Sequence, residues 1–377
     1  MHGRVMMVAG EPSGDLHGAG VVRELKRLHP AIEVFGVGGD RMRDEGMEVV
    51  FPISRLSFMG FVEVVKHLSV VKELQRTLEH ALVERRPRVV VLIDYPGFNL
   101  RFARTAKRHG AKVLYYISPQ VWAWHGGRVK KMRGLVDRMS VVFPFEEEIY
   151  RREGIDVEFV GHPLAEQIGV RSSREEFLRA NGFDPSQKLL GLFPGSRRQE
   201  VQMIFPTMVR AALRLRASLG IQVAVGVAPN LSLDDVQAYV GRIDGIRCVQ
   251  NATYDVMAHS SAAIVTSGTA TLETGWFGTP MMVVYKTSQV TYLVGRLLVD
   301  LPYIGLVNIV AGEKVVPEFV QHDMTEENLI QEATRQLTDE RYANEMRQRL
   351  AVIRTRLGAP GASLRVAQSI LELGAMA

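Results

Sequence analysis

At 377 residues, with 46% apolar and 23% charged side chains, the chain is a folded globular protein too long for one ordinary core, which points to two domains. Its single cysteine, Cys248, excludes an internal disulfide and fits a reducing compartment. No stretch approaches the ~20 apolar residues of a membrane span, and residues 5–9 are too short for a signal-peptide core, so a cytoplasmic protein is expected.

The first predicted element is a strand over residues 5–8. Gly10, Pro12, Ser13 and Gly14 of AGEPSGDLHGAG (9–20) break it, and a helix follows from 16 to 28. Open α/β sheets hold ligands where a strand ends in a small-residue turn and opens a helix, whose N-terminus favours anions. This turn is not a nucleotide fingerprint. Asp15 stands where a phosphate loop needs Lys, and G-x-G-x-x-G is absent, so a turn without ligand is the plain alternative. Glu11, Ser13, Gly14 and Asp15 are its candidate site residues, with His17 in reserve. Strands are next expected over 34–37, 89–93, 112–117 and 138–143.

Between the strands expected over 34–37 and 89–93, Phe61, Val64, Val65, Leu68, Val71, Leu74, Leu78 and Leu82 recur at three- and four-residue steps. They predict an amphipathic helix over 61–82, facing either a core or a lipid surface. Val62 and Val70 widen the stripe, and Lys66, His67, Lys72 and Arg76 flank it, as on a helix lying on anionic lipid. Asp94 closes the strand 89–93 ahead of Tyr95-Pro96-Gly97. A carboxylate there points into the ligand crevice and can act as a general base, though Asp before Pro is also a common turn former. Residues 101–138 carry ten Lys and Arg against Asp137 alone, with Trp122 and Trp124 among them. A solvated helix face, nucleic acid, anionic lipid and a phosphorylated acceptor all suit that stretch.

A domain seam is expected after Gly161-His162-Pro163, where the charge balance changes from 25 basic against 20 acidic residues over 1–165 to neutrality. Strands follow over 189–193, 222–227, 247–250, 262–266 and 281–285. Pro194-Gly195-Ser196-Arg197 leads into a helix, and Arg197 can grip a phosphate bidentately. Ser267-Gly268-Thr269 opens a helix over 270–277, offering hydroxyls and free amides to a diphosphate. Glu273, one turn in, can accept from both ribose hydroxyls or simply favour the positive helix end. A helix pair over 324–337 and 340–373 closes the chain, its end expected to return to the first domain. D-x-D, H-E-x-x-H and paired cysteines are absent, so neither metal nor cofactor is expected. The expected fold is α/β: two facing, doubly wound parallel-sheet (Rossmann-like) domains with a cleft between them.

Taken in order, AGEPSGD, IDYPGFNL (93–100), SPQVWAW (118–124), VGHP (160–163), LFPGSRRQEV (192–201) and TSGTATLE (266–273) closely resemble the lipid-A-disaccharide synthases, bacterial glycosyltransferases of lipopolysaccharide assembly. The resemblance implies the GT-B architecture. Residues 1–163 with a helix at about 345–377 would form an acceptor- and membrane-binding domain, and 164–344 a UDP-sugar donor domain. It implies an inverting transfer from UDP-2,3-diacylglucosamine to 2,3-diacylglucosamine 1-phosphate, giving lipid A disaccharide 1-phosphate and UDP. The matching residues are Asp94 as catalytic base, and Arg197, Glu273 and Asn308 (in LVNIVAG) on the donor side. The implied partners are a UDP-activated acylated sugar, an acylated sugar phosphate and the anionic cytoplasmic face of the inner membrane, touched through Val62, Val64, Val65, Leu68 and Val71. Nucleic acid is not among them, and a homodimer is left open. Gly97 departs from the family, which often has a second aspartate there. The rivals are a UDP-sugar 2-epimerase of the same fold and a non-catalytic membrane-binding protein. A nicotinamide dehydrogenase is disfavoured because Gly36-Val37-Gly38-Gly39 lacks the third glycine of its fingerprint.

Overall fold

Apolar runs such as VVVLI and LLGLF have no polar alternation and are buried throughout, the pattern of strands covered on both faces of a parallel sheet. The computed structural model describes residues 3–56, 68–122, 127–241, 243, 245–289, 292–293 and 301–375. Seven strands, β1 (Arg4–Ala9), β2 (Glu33–Gly38), β3 (Glu48–Pro52), β4 (Val89–Ile93), β5 (Lys112–Tyr116), β6 (Arg138–Val141) and β7 (Val157–Phe159), pair in the order β3-β2-β1-β4-β5-β6-β7. Six more, β8 (Leu189–Phe193), β9 (Gln222–Val227), β10 (Ile246–Gln250), β11 (Ala262–Thr266), β12 (Met281–Tyr285) and β13 (Glu318–Val320), pair in the order β10-β9-β8-β11-β12-β13. All the pairings are parallel.

The chain divides into two units, Met1–Glu166 with Leu357–Ala377, and Gln167–Arg356, each built on one sheet. Both sheets are doubly wound. The winding direction reverses between β1 and β4 in the first and between β8 and β11 in the second. Loops leaving the C-terminal ends of such a strand pair diverge and open a crevice, so these two places are where ligand groups belong.

In the first unit, Met6, Val8, Leu92 and Tyr115 pack with Leu74, Leu78 and Leu82 of the helix Leu68–Arg85. This bears on the amphipathic stripe. Val71 stands on the Leu74–Leu78–Leu82 face and is packed, half-buried, against the same core, so that end of the stripe is core rather than lipid contact. Val62, Val64 and Val65 lie outside the described residues, and Leu68 is where the described helix begins. In the second unit, Leu192, Val225, Ile264 and Val284 pack with Met208, Ala212 and Leu215 of the helix Arg198–Leu219.

The chain end departs from the expected helix pair. Gly358, at φ +78°, and Pro360 interrupt it, giving Glu326–Thr338, Glu340–Leu357 and Ala362–Ala375. The middle helix lies within the second unit, where its Leu350 and Ile353 reach Gly275. Only the last returns, to pack along the helix Pro12–Leu28. The return therefore starts at Leu357 rather than near 345, and the seam falls after Glu166 rather than Pro163.

Candidate functional site

In the first unit the loops after β1 and β4 touch. A Cβ on Gly10 would lie 2.3 Å from the Tyr95 ring, so only glycine allows this approach. Asp94 and Tyr95 are both left-handed, at φ +45° and +47°. Each such non-glycine residue costs roughly 1–2 kcal/mol and persists only when its surroundings hold it. They do so here. The Asp94 carbonyl accepts from the Tyr115 hydroxyl at 2.6 Å and from Asn99 Nδ2 at 2.8 Å, and its amide donates to the Tyr116 carbonyl at 3.0 Å. Burial, and then the negative charge of Glu11, push the Asp94 carboxyl up to about 6, against a lowering hydrogen bond from the Tyr95 backbone. A carboxylate with that affinity for a proton, held at a strand end beside the reversal, has the attributes of a general base. Gly97 meets nothing within 4 Å, so no packing demands a glycine there.

The rest of the first loop separates into two groups. Glu11 and Ser13 are exposed, and Gly14 is buried with its Cβ position 3.3 Å from the Ala9 Cβ. Asp15 is 5% exposed, and its carboxylate accepts from the amides of Gly39 (2.6 Å), Met42 (3.2 Å) and Arg41 (3.3 Å). It thereby caps the short helix Asp40–Asp44 from outside, which corrects its reading as an acceptor-loop residue. Asp15→Ala leaves three amides without an acceptor and should cost roughly 1–3 kcal/mol of stability, seen as a lower urea midpoint with UDP affinity unchanged. An unchanged midpoint would return Asp15 to the ligand side. Burial and Arg41 push His17 down to about 4, and burial with His17 pushes His162 down to about 3, so both imidazoles are neutral near pH 7.

Beyond β5, Ser118 and Trp122 of SPQVW both donate to Glu146, at 2.6 and 3.1 Å. Glu146 begins the helix Pro144–Arg152, is 1% exposed, and also accepts from the Phe143 amide at 3.1 Å. Burial pushes its carboxyl up to about 7 despite these donors. The sequence reading passed over it. Its only signal is its place at the third helical position, counting Pro144 as the first, where a carboxylate can accept from the amide that precedes the helix.

In the second unit the loop after β8 carries Arg197, whose exposed guanidinium pairs with Glu200 at 2.8 Å. Asn230 Nδ2 holds this loop through the Ser196 carbonyl at 2.7 Å. After β11, Gly268 takes φ +148° and the helix Thr269–Phe277 begins. The amides of Thr269 and Ala270 have no acceptor within the helix. Ser267 is partly committed, its hydroxyl to the Ile304 carbonyl (2.9 Å) and its amide to the Val284 carbonyl (2.9 Å). The Thr266 hydroxyl, buried between this turn and Gly195, has no partner among the described residues. Glu273 is half-buried and accepts from the Tyr254 hydroxyl at 3.2 Å, while burial raises its carboxyl pKa. Tyr254 is a second residue the sequence reading missed.

Asn308 requires a correction. It is fully buried, and its amide group is saturated within the fold. Nδ2 donates to the Val316 carbonyl and Glu318, both at 2.9 Å, and Oδ1 accepts from the amides of Val315 (2.8 Å) and Val316 (3.0 Å). It braces the approach to β13 and has no polar atom left for a nucleotide. Among the described residues, no group of three His, Cys, Asp or Glu is placed to hold a metal.

Comparison with known proteins now adds to this geometry. Residues 5–363 match the family model described as lipid-A-disaccharide synthetase. The chain is 46% identical over 372 residues to a lipid-A-disaccharide synthase of Geobacter sulfurreducens, covering 98% of this chain and 97% of that protein. It is 40% identical over 375 residues to the corresponding Myxococcus xanthus protein, with the same coverage. Among solved structures it resembles a Neisseria meningitidis UDP-GlcNAc 2-epimerase bound to UDP-GlcNAc, at TM-score 0.66 and 14% identity over 98% of this chain and 100% of that one. It also resembles the calicheamicin glycosyltransferase CalG4, at TM-score 0.64 and 16% identity over 99% of both chains. At such identities the structural likeness speaks for the fold alone.

Proposed function

The chain belongs to the lipid-A-disaccharide synthetase family, and from that premise we propose how its two sheets divide the work of a glycosyl transfer. The protein is a glycosyltransferase of lipid A biosynthesis with the two doubly wound domains of the GT-B fold and a UDP-sugar substrate. In our reading, the β8 and β11 loops of the second unit receive the UDP group and the β1 and β4 loops of the first receive the acceptor. The donor is UDP-2,3-diacylglucosamine and the acceptor 2,3-diacylglucosamine 1-phosphate.

Asp94 takes the proton of the acceptor hydroxyl as that oxygen attacks the anomeric carbon. The new C–O bond forms on the face opposite the departing diphosphate, so the configuration inverts and the products are the β-1,6-linked disaccharide 1-phosphate and UDP. Arg197 and the free amides of Thr269 and Ala270 offset the charge that develops on the leaving group. Glu273 accepts from the ribose hydroxyls. The observation that carries this reading is Asp94, a strained carboxylate with a raised pKa at the winding reversal of its sheet.

Purified protein mixed with the two acylated sugars should release UDP and form disaccharide in equal amounts. Conversion of UDP-GlcNAc to its 2-epimer, with no disaccharide, would favour the rival that shares the fold.

The acylated substrates also support a peripheral position on the cytoplasmic face of the inner membrane. No described helix is long and apolar enough to cross a bilayer. The apolar residues Val62, Val64, Val65 and Leu68 with their basic flanks supply the contact in this proposal. Replacing Val64, Val65 and Leu68 together with Ser should reduce co-sedimentation with anionic liposomes and turnover of acylated substrates, while UDP affinity stays at the parent's value. A variant that unfolds, or binds liposomes as the parent does, would assign these residues to a core instead.

A further inference from the structure

Asp94 does not stand alone at the C-terminal end of its sheet. Its amide is bonded to the Tyr116 carbonyl, the last residue of β5, and two residues later the chain enters Ser118–Trp122. Within that segment Ser118, Pro119 and Val121 are buried and Gln120 is exposed. Two of its side chains converge on one carboxylate, Glu146, which belongs to the helix beyond β6. The Trp122 ring stands edge-on to Phe145 with centroids 5.6 Å apart, and Phe145 stacks on Phe143 at 5.5 Å, so the anchor is packed as well as hydrogen-bonded. The Tyr150 hydroxyl, at the far end of that helix, reaches the Pro119 carbonyl at 3.5 Å.

We propose that Glu146 is a positioning residue of the acceptor side: by accepting from Ser118 and Trp122 together, it sets the course of residues 118–122, the segment that leaves β5 next to β4, and so presents Gln120 to the acceptor sugar. This deepens the proposed function and rests on it. A carboxylate suits the task because it accepts several donors at once and donates none. Its burial makes the arrangement stiff, since a displaced donor would leave a buried polar group with too few partners in a water-poor site. Gln120 brings both a donor and an acceptor, the pair that recognises sugar hydroxyls. The Phe143 amide bond to Glu146 is a separate, structural duty, capping its own helix, and the experiment has to divide the two.

Ser118→Ala combined with Trp122→Phe removes both segment donors and leaves the Phe143 cap in place. Glu146→Ala removes both duties, and Glu146→Gln keeps one acceptor oxygen. Each variant is assayed with both acylated sugars after the parent's turnover has been established. The expected result for Ser118→Ala/Trp122→Phe is a KM for the acceptor raised about tenfold or more, with the donor KM at the parent's value. Adding Glu146→Ala should raise the acceptor KM no further, and Glu146→Gln should recover part of the loss. If Glu146→Ala fails to fold, Glu146→Gln takes its place in the cycle. A folded Ser118→Ala/Trp122→Phe protein with the parent's acceptor KM overturns the proposal. So does an additive effect of the Glu146 substitution, which would leave it only the cap. A parent without turnover overturns the proposed function, and this inference with it.

Discussion

Asp94→Asn should lower kcat by roughly 10²–10⁴-fold, the usual worth of a general base, while UDP binds as it does to the parent. The amide keeps the shape of the carboxyl and its place at the end of β4, but it cannot take the acceptor's proton. Because burial and Glu11 push the Asp94 carboxyl up to about 6, the parent's rate should rise with pH through that value and then level. The asparagine variant should lose that limb of the profile. The same shift has a second sign. A folded-state pKa above the ordinary 3.8 means that ionising Asp94 costs the native state. That cost is absent below about pH 4, grows between 4 and 6, and is fully present above 6. The variant should therefore unfold at a higher temperature than the parent at pH 8, with the gain vanishing near pH 4. Near-normal turnover in folded Asp94→Asn would move the base elsewhere, with Glu11 the nearest other carboxylate that acts on Asp94.

Arg197→Ala and Glu273→Ala should each weaken UDP binding, by roughly 10- to 150-fold if each removes a charge-assisted hydrogen bond of ~1.5–3 kcal/mol. The two losses should differ. Arg197 is 66% exposed and must give up Glu200 to reach a phosphate, so its loss belongs near the lower end. Glu273 is half-buried and oriented by Tyr254, so the bonds to ribose proposed for it would be better shielded and its loss belongs nearer the upper. Calorimetry with UDP measures both. Unchanged affinity in the two variants would displace the donor site, and activity abolished by a chelator would replace arginine and helix amides with a metal.

The strands that the sequence hides have one physical circumstance in common. β4, β8, β9 and β12 coincide with their apolar runs because both faces of an inner strand are covered. β3, β7 and β13 went unrecognised, and each lies at a sheet edge, where a strand is short, carries a glutamate and is only half-buried. The site divides similarly. Of the proposed site, Asp94, Arg197 and Glu273 stand out in the sequence because a charged residue ends a strand or opens a helix at a fixed offset. Asn308 and Asp15 lie in equally suggestive places, yet their polar atoms are consumed within the fold, Asp15's by amides 24 to 27 residues away and Asn308's by the approach to β13, and no sequence pattern reveals that. Glu146 and Tyr254 were hidden for the converse reason. Each matters through a partner 19 to 28 residues away, a separation that only the folded chain brings into contact.

The return of the helix Ala362–Ala375 to the first unit has a consequence for the order in which the protein can be assembled. During synthesis residues 3–166 precede the helix Ala362–Ala375, so the face of the helix Pro12–Leu28 that this later helix covers stays open until residues 362–375 have been made. Residues 167–356 are all made before that helix, so the unit in the middle of the sequence has its whole chain first. The unit that precedes thus waits the longer of the two for its final layer. During that interval it is the part of the nascent protein that displays uncovered apolar surface.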